Sequence, residues 1–457
     1  MFMKDAVILC AGAVTKLWPY AQIRCKAMLP VSNKPVVSFA VDALTGQGFD
    51  NIILVGGRFT EEIRAFFRDY NNVKVITDTA PKGSAFSLLL AKEHINGSAF
   101  LALYGDTIVS ENDLASLVSA YEESGYPQAL VSPVRDRSSD YIGCKIENGA
   151  VKEIWGHSRD ESTHFFGGFA FGSDFFDVLR FNPGRFAYTE VGMMPPVEAF
   201  LEISVADEMK RGMKLGAVAA ENPVFDIDKP WHILEANAAV NAARCGKLTK
   251  NELDEGASID ETAFLGGFVK LGKNSRIGKN VIIEGNIIVG DNTTIKNGAI
   301  LQGNIVIGND TQVRNACFVE GDSTIGNECI VSHAAELSGM IMDRVYLYHY
   351  MEMNGIIGEN TDLGAATVCG SLRFDDGFTI QKVKGRREFA RNYSDSVFLG
   401  DYCRTGVNAI IMPGIKIGPY SVIGAGVLLN KDIPDHTLIY TEQTLIEKKW
   451  GSEVYGW

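Results

Sequence analysis

The amino-acid sequence predicts a two-part chain, an α/β domain followed by an all-β parallel helix of short repeats. Three observations carry that prediction. Aliphatic residues recur every six positions through the second half, and glycines recur every eighteen in the same stretch. Strand-like and helix-like segments alternate through the first half.

The period of six is the strongest signal. Steps of six from Ile259 meet Leu265, Leu271, Ile277, Ile283, Val289, Ile295, Leu301, Ile307, Val313, Val319, Ile325, Val331 and Leu337. A second run in one phase passes through Leu399, Thr405, Ile411, Ile417, Ile423 and Leu429. An α-helix repeats near 3.6 and a strand at 2, so neither produces this pattern. A three-sided coil does. Each hexapeptide makes one short strand and one turn, with its aliphatic residue facing inward. Gly272, Gly290, Gly308 and Gly326 lie 18 apart, which matches three hexapeptides per coil. They are expected to stack along one corner, where a tight turn favours a residue without Cβ. Stacked coils satisfy one another's backbone hydrogen bonds and bury one continuous core. The phase is expected to break between Asp343 and Leu399, with the charged segment 372–392 extruded as a loop. Such a loop can carry function at little cost to the core.

In the first half, strands are predicted at 6–10, 51–55, 73–77, 99–104 and 129–134, and helices at 36–47, 61–69 and 84–93. That alternation predicts a largely parallel sheet with helices on both faces. Ligands bind beyond the carboxyl ends of such strands, which singles out the loops after Cys10 and Tyr104.

A chain of 457 residues accommodates two or three domains at roughly 100–200 residues each. The boundaries are expected at 1–245 for the α/β domain with its exit helix, 251–440 for the repeats and 441–457 for a tail. Hydrophobic residues make up 46% and charged residues 22%, an ordinary water-soluble composition. No stretch approaches the ~20 apolar residues of a membrane span. The opening residues show no signal-peptide pattern, so a cytoplasmic protein is expected. The eight cysteines form no CxxC pair and no zinc spacing, which predicts reduced, buried thiols. A net charge of −13 argues against nucleic acid and anionic membrane as partners. It leaves phosphorylated small molecules open, since a few local cations can hold them.

The stretch AVILCAGAVTKLWPYAQIRCKAMLPVSNKP, residues 6–35, resembles the opening of the sugar-1-phosphate nucleotidylyltransferases. In that family a glycine-rich loop wraps the nucleotide, and a lysine before Met-Leu-Pro meets the phosphates. The resemblance implies a Rossmann-like nucleotidyltransferase fold. It places Leu9, Ala11, Gly12 and Ala13 at the nucleotide and makes Lys16 and Lys26 catalytic cations. Two positions depart from the pattern: Val14 replaces a loop glycine and Lys16 an arginine. A β-branched residue crowds backbone approach to phosphate, and lysine lacks the bidentate fork.

Further along, Lys82-Gly83-Ser84-Ala85 is similar to the family's base-contacting segment, and Tyr104-Gly105-Asp106 to its metal-binding strand end. Gly167-Gly168 resembles the sugar-contacting segment, which makes Gly168 the sugar-site candidate. Phe225 to Trp231 resembles the segment with the second metal aspartate, implying Asp226, with Asp228 as its rival. A Glu-Lys-Pro segment of the family is missing, since the corresponding stretch reads Val151-Lys-Glu-Ile154-Trp-Gly-His-Ser. The implied reaction is attack of a sugar-1-phosphate oxygen on the α-phosphorus of a nucleoside triphosphate. Mg²⁺ would be held by Asp106 and Asp226.

The segments GAATVCGSLRFDD (364–376) and VFLGDYCRTGVNAIIMPGIKIG (397–418) resemble archaeal-type bifunctional enzymes that add an amino-sugar acetyltransferase. That resemblance implies a left-handed helix, a homotrimer and acetyl-CoA as a second cofactor. The family's base histidine aligns with Tyr348, a family tyrosine with Met351 and a family asparagine with Ser371. His349 is the alternative base, and Lys382 and Lys384 are retained in the loop. The departures also leave open a non-catalytic, regulatory member of the fold that binds a nucleotide sugar or a partner.

Overall fold

A computed structural model describes residues 3–12, 16–134, 141–155, 162–182, 184 and 198–455. The chain divides into two compact units. The first holds Met1–Lys247 with Lys382–Arg386, and the second holds Leu248–Gln381 with Arg387–Trp457.

The first unit is built on β1 (Asp5–Cys10), α1 (Val36–Gly46), β2 (Asn51–Gly56), α2 (Thr60–Phe66), β3 (Val73–Thr77), α3 (Ser84–Leu89) and β4 (Ala99–Tyr104). There follow β5 (Thr107–Ile108), α4 (Glu111–Ser124), β6 (Gln128–Pro133), β7 (Gly143–Glu147), β8 (Ala150–Trp155) and β9 (His164–Gly172). The last elements are α5 (Phe175–Leu179), α6 (Leu201–Lys210), β10 (Gly216–Ala219), β11 (Phe225–Asp226) and α7 (Pro230–Cys245).

Among the described residues, nine strands form one sheet in the order β3-β2-β1-β4-β9-β6-β10-β8-β7. β1 is buried on both sides, with Ala6, Ile8 and Cys10 in one core and Val7 and Leu9 in the other. An unbroken apolar run is what a central strand covered on both faces requires. α1, α2 and α4 bury Val41, Ile63 and Leu117 on the first face. α3, α5 and α6 bury Leu88, Phe176 and Val205 on the second.

The sheet is less parallel than the alternation predicts. β3, β2, β1 and β4 run parallel. β9 is antiparallel to β4 and β6, and the β10-β8-β7 edge is antiparallel throughout. The cause is the connection from β7 to β8, Glu147–Ala150, which turns through Asn148 and Gly149 with positive φ and makes a hairpin. No helix separates those strands, so no parallel crossover forms.

The second unit is a left-handed parallel β-helix. Strands pair at a spacing of 18, as Ile287 with Ile305 and Ile295 with Val313. The predicted inward residues from Leu271 to Leu337 are buried in one continuous core. Thr405 also faces inward, and its hydroxyl is satisfied by Thr367 Oγ1 at 2.8 Å and the Gly364 amide at 2.9 Å. The corner glycines do stack, but their reason differs from the expected one. None of Gly272, Gly290, Gly308 and Gly326 has positive φ. A Cβ on Gly290 would come within 2.8 Å of the Gly308 backbone one coil on, so close stacking excludes side chains there. Positive φ falls at other turn positions, such as Asn274, Asn280, Asn292, Asn304, Asp310 and Asp322. Asn and Asp tolerate that conformation best among residues with a Cβ.

The six-residue phase breaks within the expected range, at Met353, and once before it, at Leu337, while the core runs on through Ile341, Leu347, Met353, Ile357, Leu363 and Cys369. Two steps of four replace steps of six, so adjacent coils pair at a spacing of 16, as Ser338 with Asn354. Strands Glu336–Ile341 and Glu352–Ile357 run on through one corner in place of its turn. Gly339 at φ 110° and Gly355 at φ 134° make that passage. The extruded segment follows Cys369 and contains a hairpin of Ile380–Val383 and Arg386–Phe389.

Candidate functional site

The first site forms where the predicted strand-end loops meet. β4 ends at Tyr104, and the Gly105 amide donates to Leu9 O at 2.9 Å. A Cβ at Gly105 would overlap Cys10 Sγ and lie 3.1 Å from Leu9 O, so only glycine lets the loop pass β1 this closely. Asp106 follows. Its carbonyl accepts from the Ile227 amide at 2.9 Å, and β5 pairs with β11 so that Thr107 faces Asp226. This two-residue ladder brings two carboxylates together across a long stretch of chain. Asp228 stands two residues beyond Asp226, just before α7, where Pro230 occupies the first turn. The His232 ring donates from Nδ1 to Asp226 O at 2.9 Å and ties the segment to the helix.

Lys26 enters from a 3₁₀ turn, Lys26–Met28. Its Nζ lies 2.6 Å from Asp106, 3.1 Å from Asp228 and 4.0 Å from Asp226. Lys16 Nζ reaches Asp228 at 2.5 Å. Burial alone would lower the Lys26 pKa, but the three carboxylates outweigh it and hold the ammonium protonated. Burial would raise Asp228, yet Lys26 and Lys16 keep its carboxyl well below the usual range. Asp226 goes the other way. Burial, with Asp106 and Asp228 beside it, pushes it up to about 8 against the pull of Lys26. With Asp226 protonated the charges of the cluster balance, and loss of that proton would free its oxygens for one more cation. Mg²⁺ takes oxygen ligands and is commonly held by one or two carboxylates plus substrate phosphates.

A cavity of about 140 Å³ opens on this cluster, lined by Lys26, Tyr104, Asp106, Thr107, Ile142, Phe165, Phe166, Asp226 and Asp228. Lys16, Lys26, Asp106 and Asp226 are thus brought together. Leu9 is buried in β1, whereas Gly12 is exposed with open space where a Cβ would stand. Ala11 is half-buried beside Gly57. Ala13, Val14 and Thr15 lie outside the described residues, as do Gly156 to Ser158 of the altered Glu-Lys-Pro region. Gly83 has φ 109°, and its Cβ would overlap the Ala199 backbone. Ser84 Oγ accepts from the Leu201 amide at 2.8 Å. Gly168 sits in β9 against Leu103.

Sequence reasoning missed the cavity's other walls, Ile142, Phe165 and Phe166. It ranked Asp228 second, although Asp226 and Asp228 two apart share a side in extended chain.

In the second unit, His349 is half-buried and its Nδ1 meets Ser332 Oγ at 3.1 Å. The His333 ring stands 4.2 Å away, and Tyr348 stacks on Tyr346 at 4.2 Å. Arg314 reaches the Tyr346 hydroxyl at 3.1 Å. Met351 points into the core. Ser371 Oγ donates to Glu352 at 3.2 Å. Lys384 is exposed in the hairpin turn at φ 49°, in the segment that belongs to the first unit.

Known proteins share this plan. Residues 6–180 match the MobA-like NTP transferase domain. Residues 249–342 match the GMPPB C-terminal domain, and 396–431 the bacterial transferase hexapeptide of six repeats. The bifunctional protein GlmU of Methanococcus aeolicus is 30% identical over 97% of this chain and 99% of its own. The protein of that name from Methanocaldococcus jannaschii is 29% identical over 97% and 99%. A bifunctional sugar-1-phosphate nucleotidylyltransferase/acetyltransferase of Sulfurisphaera tokodaii is 25% identical over 94% and 98%. With a fold of two matching parts and likeness along nearly the whole length of both chains, this protein belongs to the family of the bifunctional GlmU proteins.

Proposed function

We propose that the first unit transfers a nucleotidyl group from a nucleoside triphosphate to a sugar-1-phosphate, releasing pyrophosphate and an NDP-sugar. The carrying observation is Lys26 held between Asp106, Asp226 and Asp228 at the end of β4. Phosphoryl chemistry of this type asks the protein mainly for charge neutralisation and in-line positioning. Lys26 stays an ammonium, so it stabilises phosphate charge and does not serve as a base. Asp106 and Asp226, once Asp226 gives up its proton, would supply oxygen ligands for Mg²⁺, whose chemistry there would be neutralisation of triphosphate charge. Lys16, held by Asp228, lies within reach of the same phosphates. Gly12, exposed at the mouth of β1, gives the nucleotide open backbone to approach.

The reverse reaction tests this reading. Labelled pyrophosphate and a panel of NDP-sugars should give labelled triphosphate with at least one sugar, and Asp226→Asn should abolish it. No label from any NDP-sugar with folded protein would contradict it and favour the regulatory alternative.

A second reading concerns the β-helix, where the hexapeptide match and the His349 contacts support acetyl transfer from acetyl-CoA to an amino sugar. Ser332 holds the His349 ring through Nδ1, and in the tautomer whose Nδ1–H donates to Ser332 Oγ, Nε2 is the nitrogen that takes a proton. Loss of acetylation in His349→Ala, with nucleotidyl transfer intact, is the expected result. We further propose a cytoplasmic homotrimer joined through the β-helix. Sedimentation should then give three times the 49.8 kDa chain mass.

A further inference from the structure

Asp226 and Asp228 both line the cavity beside Lys26, and Ile227 between them is fully buried. The short stretch after β11 thus holds two carboxylates toward one space. Which way they point is set by the backbone from Asp226 to Asp228, so what fixes that backbone fixes the site. On the β4 side, the Ile227 amide donates to Asp106 O at 2.9 Å. On the α7 side, the support is a single imidazole.

His232 is buried in the first turn of α7, and its Nδ1 donates to Asp226 O at 2.9 Å. The Asp228 amide donates to the same carbonyl at 3.1 Å, which closes a three-residue turn centred on Ile227. Nδ1 lies 3.3 Å from the Asp228 nitrogen, so the ring seats on both ends of the turn. A proton on Nδ1 suits this arrangement, because a carbonyl oxygen has two lone pairs and here accepts from both donors. In the other tautomer Nδ1 would take the Asp228 amide but press its lone pair against Asp226 O. The ring is itself held. The His232 amide donates to Lys229 O at 3.0 Å, and the Trp231 ring meets the imidazole edge to face at 5.9 Å. His232 stands outside the cavity lining, so it acts on the site through the two aspartates.

We infer that His232 is a positioning residue, which aims the Asp226 and Asp228 carboxylates by gripping the Asp226 carbonyl from behind. The inference rests on the nucleotidyl-transfer reading, in which Asp226 and Asp106 would hold a divalent cation, and it adds the residue on which that grip depends. Groups that orient a ligating carboxylate in this way are worth roughly tenfold to a hundredfold in metal affinity.

The test uses the full chain and two amide variants. His232→Asn carries its side-chain nitrogen at the level of Nδ1, and His232→Gln carries it one bond further out, at the level of Nε2. Binding of Mn²⁺ alone, followed by electron paramagnetic resonance, is the first readout. His232→Asn should bind close to the parent, and His232→Gln roughly tenfold to a hundredfold more weakly. The second readout is the Mg²⁺ concentration that gives half-maximal pyrophosphate release. It should rise in the same order, with KM for the sugar-1-phosphate unchanged and kcat recovered at high Mg²⁺; a merely structural loss would lower kcat at every Mg²⁺ concentration. Thermal melts establish that each variant is folded, and His232→Leu, which has no donor, takes the place of a glutamine variant that does not fold. Equal Mn²⁺ affinity in the parent and both amide variants would overturn the inference, as would equal losses in the two variants or a parent that binds no Mn²⁺. Silence with every acceptor would overturn nucleotidyl transfer, and the Mn²⁺ series would still decide the role of His232 by itself.

Discussion

At the scale of single residues, the first unit places several ionisable groups where water cannot serve them. Glu202 is 6% exposed, and burial pushes its carboxyl up to about 7 from an ordinary 4.5. The folded state therefore holds the proton more tightly than the unfolded chain does. The contribution is fully present below the unfolded value and is lost as pH rises through 7. The shift corresponds to about 3 kcal/mol. Glu202→Gln should flatten the fall in Tm between pH 5 and pH 8, and parallel curves for parent and variant would contradict this. The charged cluster differs, since Lys26 compensates the aspartates there and both signs are present. Its parts were legible in the sequence as a lysine before Met-Leu-Pro and an aspartate after a strand-end glycine. Their mutual contact was not, because a two-residue ladder between Thr107 and Asp226 leaves no local pattern.

At the scale of elements, the repeat half was the most legible because one inward residue per hexapeptide sets the period directly. The two shortened coils were not. Removing a turn changes spacing without changing composition, and Gly339 and Gly355 look like any other glycines. A Cβ at Gly355 would overlap Val397 O, on top of an unfavourable φ of 134°. Gly298, at φ 70°, has nothing within 4 Å. Gly298→Ala should cost only the left-handed penalty of about 1–2 kcal/mol. Gly355→Ala should cost clearly more, about 3 kcal/mol or above, since overpacking adds to it. Urea denaturation checks the order, and equal losses would show that coil contact does not govern the corner. The same stacking explains the hydroxyl ladder, in which Ser275, Thr293 and Thr311 each donate to a carbonyl and accept an amide from the next coil. Small polar residues that look like turn formers in the sequence are satisfied core residues in the fold.

At the scale of the whole molecule, the sequence showed two parts and their order, and the structure adds that Lys382–Arg386 of the extruded segment belongs with the first. No helix among the described residues is long and apolar enough to cross a membrane. The eight cysteines are free and buried, spread through both units. Burial raises the thiols of Cys10, Cys144 and Cys369, which leaves little reactive thiolate. Native protein should therefore react negligibly with a thiol reagent and expose all eight on denaturation; rapid native labelling would count against the packing of these cores.

The central claim is that Lys26 and the aspartates around it make a nucleotidyl-transfer site. Pyrophosphate release with Mg²⁺, nucleoside triphosphates and a broad set of sugar-1-phosphates, parent beside Asp106→Asn, tests it most directly. Turnover with at least one pair is expected, with a loss on the order of a hundredfold or more in the variant. Turnover that survives Asp106→Asn, or none from folded parent protein, would contradict it.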